Sequence, residues 1–158
     1  MLLTEALMER KDTKTRMESL KKRLHAVAKT EEGIAPPEAP LELLQELFRE
    51  IDAFEALVAR IDQTNALARF EDGSGLCSAL IRRDMLRYRH LVLGNLADHA
   101  VASSSHGRYS AREIRSVPAV DVSWARREAD RFAREGRLVD ARIQKLNWAT
   151  ELAPLPGS

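Results

Sequence analysis

The residues best placed to do chemistry are polar side chains that interrupt otherwise apolar helical seams: Arg10, Asn65, Arg83 and, beside a fourth seam, Asn147. Asp84 and Arg87 accompany Arg83, and Asp84 lies three residues before Arg87, close enough on a helix to orient its guanidinium. Folded as antiparallel hairpins, residue i of the first helix would meet roughly residue 70 − i of the second, and the second would meet the third at roughly 147 − i. Arg10, Asn65, Arg83, Asp84, Arg87 and Asn147 would then gather toward one end of a bundle. Arginines there could hold an anion that the asparagine amides orient. The same residues could instead fix helix register and oligomeric state, as a single core asparagine does in coiled coils. Both readings stand at this level.

Other chemistry is missing. The chain has no glycine-rich phosphate loop, no Gly-x-Ser-x-Gly elbow and no His-Glu-x-x-His. None of His25, His90, His99 and His106 has an acidic residue three positions earlier, as a di-iron bundle requires. No catalytic residue, metal ligand or cofactor is expected. Cys77, the single cysteine, cannot form an internal disulfide, and its place beside a seam suggests a buried, inert thiol. His90, on an apolar face, is expected to be a hydrogen-bonded core histidine.

The elements that position these groups follow from apolar residues spaced alternately three and four apart. The seams run Leu3–Ala6–Thr13–Met17–Leu20–Leu24–Val27, Leu44–Leu47–Ile51–Phe54–Val58–Ile61–Ala68, Leu76–Ala79–Leu86–Leu93–Ala97–Val101 and Val122–Ala125–Ala129–Phe132–Gly136–Val139–Ile143–Leu146. They predict helices over 2–31, 40–71, 75–102 and 122–150, a connection over 103–121 and a tail over 153–158. Gly33 to Pro40, with three prolines, separates the first two helices, and Pro40 suits a first helical turn. Asp72-Gly73-Ser74-Gly75 is a reversing turn, and Asp121 can cap the fourth helix. Period-two alternation is almost absent. The expected fold is all-α: one domain over 1–158, an elongated antiparallel four-helix bundle of coiled-coil hairpins.

Composition narrows the function. With 25 basic and 24 acidic residues among 158, the net charge is +1. Nucleic-acid binding wants a concentrated basic face with base-reading residues interleaved, and none is present. No apolar run nears the ~20 residues of a membrane span, and the N-terminus lacks the basic start and apolar block of a signal peptide. A cytoplasmic, bacterial protein is expected. Residues 36–75 carry 3 basic and 9 acidic groups, whereas 107–158 carry 10 and 7. An acidic second helix could therefore meet the basic fourth helix of a neighbour. Trp124 and Arg127 in the fourth helix, with Tyr109 and Ile114 in the long connection, are the candidate interface. Four thin helices with 8 aromatic residues bury little core for their surface, and burial between subunits would compensate.

Several stretches resemble a bacterial family of small helical proteins that carries the label septicolysin. They are Ile61-Asp62-Gln63-Thr64-Asn65, Glu71-Asp72-Gly73, Arg82-Arg83-Asp84-Met85-Leu86, Ser110-Ala111-Arg112-Glu113-Ile114-Arg115, Val120-Asp121-Val122 and Asn147-Trp148-Ala149-Thr150-Glu151-Leu152. The resemblance runs over nearly the whole chain and implies an all-helical fold without an accepted activity. It departs at Cys77, where a small hydroxyl residue is expected, and at the bulky Trp124. The label implies a thiol-activated cytolysin, a much longer, β-rich, secreted protein with a Trp-rich loop around its cysteine. Here Gly75-Leu76-Cys77-Ser78-Ala79 has no tryptophan nearby, and the residues argue against lysis. The sequence thus favours a self-associating, non-enzymatic scaffold or adaptor, a homo-oligomer with room for a protein partner. A small-molecule or anion binder, or an enzyme, built on the polar cluster is the alternative.

Overall fold

The computed structural model describes residues 1–102 and 117–155. Tyr109 and Ile114 lie outside the described residues. Four helices follow in order: α1 (Leu3–Ala26), α2 (Pro40–Leu67), α3 (Leu76–Val101) and α4 (Val122–Ala149). The fold is all-α, as the seams predict. Contacts divide the chain into two compact units, one of Met1–Leu76 with Gln144–Ser158 and one of Cys77–Ile143.

In the first unit α1 and α2 form an antiparallel hairpin. Leu20, Val27 and Leu43 are buried at its loop end, with Leu24 and Leu47 packed against them. Arg16 Nε donates to Glu50 at 3.1 Å, and Arg23 pairs with Glu38. Arg16 thus pairs four residues, about one helical turn, short of the sequence-based alignment, and Arg23 pairs nine residues short, with a residue that precedes α2. The cause is an early end to α1. Val27 is the last seam residue, residues 28–33 offer no large apolar side chain to bury, and Gly33 takes a positive φ of 82° in the loop. Arg23 and His25 in the last turn suit the helix dipole. The helix therefore stops at Ala26 rather than near residue 31.

The second helix starts as expected with Pro40 at its first position and also ends early. Arg69 Nη1 donates to the carbonyls of Ala66 and Ala68 at 2.8 and 2.9 Å, satisfying helix-end acceptors from outside the helix. The chain then reverses. Gly73 has φ +80°, Ser74 N donates to Asp72 Oδ1 at 2.9 Å, and Leu76 N donates to Ala68 O at 3.0 Å. That turn is the one Asp72–Gly75 predicts, with α2 ending at Leu67 instead of residue 71.

The chain ends are clasped within the same unit. Leu3 N donates to Thr150 O at 2.8 Å and Leu152 N to Met1 O at 2.9 Å, a short antiparallel bridge that supplies a partner to an otherwise orphaned N–H at the start of α1. Glu5 reaches back to accept from Leu2 N at 2.7 Å. Thr64 links the clasp to α2: its Oγ1 donates to Arg60 O at 2.7 Å and accepts from Ala153 N at 2.9 Å, while Arg60 Nε donates to Ala153 O at 2.8 Å.

In the second unit α3 and α4 run antiparallel. Leu86, Ala97, Ala125, Ala129 and Gly136 are buried where the two helices meet. A Cβ on Gly136 would lie 3.7 Å from Leu86 Cβ, so small residues let the helices approach closely. Asp121 caps α4, accepting from Trp124 N at 2.9 Å.

Thr64→Val keeps shape but removes the hydroxyl between α2 and the C-terminal segment, leaving Ala153 N without its acceptor. It should cost about 1–3 kcal/mol by urea denaturation, whereas Thr15→Val, which removes an exposed hydroxyl bonded only to its own helix, should cost under ~0.5 kcal/mol. Equal losses would show that the clasp contributes nothing particular.

Candidate functional site

The six polar residues divide between the units. Arg10, Asn65 and Asn147 belong to the first, and Arg83, Asp84 and Arg87 to the second. Arg10 is exposed on α1, and Asn65 is half-buried on α2. Asn147 is 5% exposed, and its Oδ1 is buried with no hydrogen-bond partner, as is Gln63 Oε1 on α2. A buried acceptor left unpaired costs about 1–3 kcal/mol, so Asn147 is an expensive residue to keep.

In the second unit the guanidiniums converge on a carboxylate from the facing helix. Arg83 and Arg87 approach Asp140 Oδ1 at 3.5 and 3.3 Å. Asp84 does not orient Arg87, as its spacing suggested; it pairs with the adjacent Arg83 at 2.9 Å. The physical reason is which faces meet. The side of α3 carrying Arg83 and Leu86 turns toward α4, bringing Arg87 within reach of Asp140, while Asp84 is 54% exposed. Two guanidiniums and two carboxylates cancel, so these four side chains present no net charge to an anion. Asp140 is the residue that sequence reasoning missed. Its signal was there: an antiparallel pairing of the third and fourth seams puts it opposite Arg83.

His90 Nδ1 lies 3.0 Å from Ala129 O. A carbonyl only accepts, so Nδ1 carries the proton and the ring is a hydrogen-bonded interhelical strut, on an exposed residue rather than in the core as expected. Cys77, expected to be buried, is exposed at the start of α3, one residue beyond the buried Leu76 and so turned about 100° from it. Among the described residues no three His, Cys, Asp or Glu side chains are grouped to hold a metal ion, and no helix is long and apolar enough to cross a membrane.

A further concavity of the second unit lies elsewhere. An open groove of about 480 Å³ runs between α3 and α4, lined by Tyr88, Arg89, Val92, Leu93, Trp124, Glu128 and Phe132. Arg131 stacks on Phe132 with its Cζ 4.4 Å from the ring centroid, and Arg89 lies over the same ring at 5.5 Å. Arg131 also grips Glu128 through Nη2 at 2.5 Å, and this hydrogen bond holds the Glu128 carboxyl below its ordinary range. Trp124 is 49% exposed, and Arg127, three positions on, is exposed. Ala125, Ala129 and Gly136, the small residues of the fourth seam, are used inside the unit against α3. Trp124, Leu138 and Trp148 are large apolar side chains that α4 leaves exposed.

Comparison with known proteins agrees with this fold. The profile of a family of unknown function (DUF6847) matches residues 10–152. A crystal structure of a functionally unknown conserved protein from Corynebacterium diphtheriae is similar at 40% identity, covering 97% of this chain and 99% of that one, with a TM-score of 0.87. No curated protein matches. The septicolysin label receives no support from these relatives.

Asp140→Ala removes the carboxylate between two guanidiniums, one of them only 20% exposed. It should cost about 1–3 kcal/mol, discounted from a fully buried pair for the water that reaches it. Asp84→Ala should cost under ~1 kcal/mol. A larger loss for Asp84 in chemical denaturation would overturn the assignment of Asp140 as the organising acid.

Proposed function

Because the chain belongs to a family of unknown function, DUF6847, and inherits no activity from it, we propose from its geometry that it is a self-associating helical scaffold or adaptor that works without catalysis. The observation that carries this reading is the apolar groove of the second unit. Monomeric proteins rarely leave a contiguous apolar patch beyond a few hundred Å² uncovered. Here Tyr88, Val92 and Trp124 are each about half exposed beside it. Tyrosine, tryptophan and arginine dominate binding energy where interfaces have been dissected, and Trp124, Tyr88 and Arg89 line this groove. The polar cluster of the unit is internally neutralised, which suits a device that fixes helix register better than an anion site.

A second reading, a small-molecule binder, draws on Asn147 Oδ1 and Gln63 Oε1. Orphaned buried acceptors call for a donor, so such a ligand would bring an N–H or O–H group rather than an anion. Thermal-shift screening against neutral hydroxylated and amine-bearing metabolites tests it. A ligand whose stabilisation vanishes in Asn147→Leu would favour this reading.

Light scattering across a concentration series tests the first. The protein should give twice or more the protomer mass of 17.8 kDa at tens of micromolar. A mass that stays at 17.8 kDa up to millimolar concentration would remove self-association from consideration.

A further inference from the structure

The third helix carries two apolar seams on different sides. One, through Leu86, Leu93 and Ala97, packs toward α4. The other runs through Ile81, Met85, Tyr88 and Val92, at successive spacings of four, three and four, and continues to Asn95 and His99. At 100° per residue its centre lies about 140° from the line through Leu86 and Ala97. Its apolar members are exposed by 46 to 64%, and Leu91 and Leu96, which flank it, by 54 and 41%. A helix apolar on two separate faces is the pattern of a helix covered on both. Within the described residues only one face is covered.

We propose that this second seam pairs with the same seam of a second copy of the chain, in a parallel coiled coil about a two-fold axis. The inference rests on the reading of the protein as self-associating and assigns the surface and the orientation.

Size and charge select that occupant. Six α3 side chains and Trp124, each with on the order of 100 Å² of exposed surface, give about 700 Å² per protomer, close to the ~800 Å² a standard stable interface buries on each side. In heptad terms Ile81 and Tyr88 take position d, Met85 and Val92 position a. Asp84 and Leu91 then fall at g, Arg89 and Leu96 at e. In a parallel pair g meets the e position five residues further along the partner. Asp84 would thus face the partner's Arg89, and Leu91 the partner's Leu96, each contact formed twice. Acid meets base and leucine meets leucine. The antiparallel alternative, with Tyr88 opposite Val92, brings Asp84 toward Asp98 and Arg89 toward its own copy, pairing like charges at both flanks. Asp84 has the exposure to serve, being 54% exposed beside its bond to Arg83. The arrangement also employs the groove, because Arg89 and Val92 form its α3 wall and the partner's Leu91 would lie at its mouth.

The test is sedimentation equilibrium of the full chain and its variants, with circular dichroism to report the fold. The wild type should be a dimer. Met85→Lys, a half-exposed position within the protomer, should keep the helical signal and sediment as a monomer. Asp84→Arg should weaken dimerisation at least tenfold, and Asp84→Arg combined with Arg89→Asp should restore it. In a Cys77→Ser background, Met85→Cys should cross-link into a covalent dimer on mild oxidation, because only a parallel pairing sets position 85 beside itself. A folded Met85→Lys variant that remains dimeric would overturn this surface while leaving self-association intact. A wild type that is monomeric at millimolar concentration would overturn both, and would mean that another occupant covers the seam. A dimer with no cross-link, or with no rescue by the charge exchange, would overturn the parallel orientation. Should Met85→Lys lose its helical signal, the charge exchange and the cross-link decide.

Discussion

The shortage of fully buried large side chains is the constraint on which this structure depends. Among the described residues Leu3, Ile61, Leu76, Leu86 and Ile143 are the large side chains that lose essentially all contact with solvent. Each contributes about 1.5–3 kcal/mol by leaving water. Four helices of 24 to 28 residues must be ordered against that gain, at roughly 1–2 kcal/mol of backbone entropy per residue. Half-buried seam residues supply the remainder, which is why apolar spacing persists along every helix. A hairpin of two helices has one face for each to bury. Any further apolar surface must find cover elsewhere.

The two units meet this constraint differently. The first adds polar closure: the clasp of the chain ends, the Thr64 hydroxyl and the Arg69 guanidinium pair backbone groups that helix ends would leave orphaned. Orphaned backbone groups are costly, so a few well-placed donors substitute for core volume. The second unit relies on close approach. Ala125, Ala129 and Gly136 bring α4 near α3, and Arg83 and Arg87 reach across to Asp140. Small residues achieve proximity at the expense of buried area. Several large apolar side chains of this unit consequently lie on its outside: Tyr88, Val92 and Trp124 around the groove, Ile81 and Met85 along α3.

Much of this was legible in the sequence, for a reason. A heptad-like spacing fixes which side of a helix faces a neighbour, so the four seams gave the four helices and most of their buried positions, Leu3 and Ile143 included. Pro40, Asp72–Gly75 and Asp121 announced boundaries through local chemistry that acts regardless of tertiary context. Helix ends without such a signal were misjudged. Nothing in Ala28–Glu32 forbids a helix; α1 stops because it has nothing left to bury. The polar cluster was legible only in part, since spacing along one helix showed Asp84 near Arg87 but not the competing carboxylate of Asp140 across the interface. Exposure was the least legible quantity. Cys77 sits one position from a buried leucine, and that single step of about 100° turned an expected core thiol into a surface one.

The central claim is that α3 and the groove beside it are completed by a second copy of the chain, so that folding and association are coupled. Such coupling makes stability depend on protein concentration. Thermal unfolding followed by circular dichroism from about 1 to 100 μM measures it directly. The account requires the midpoint to rise with concentration, by several degrees for a ~100-fold increase, since association then contributes about 2.7 kcal/mol. A midpoint independent of concentration across that range, with the protein reversibly folded throughout, would contradict it.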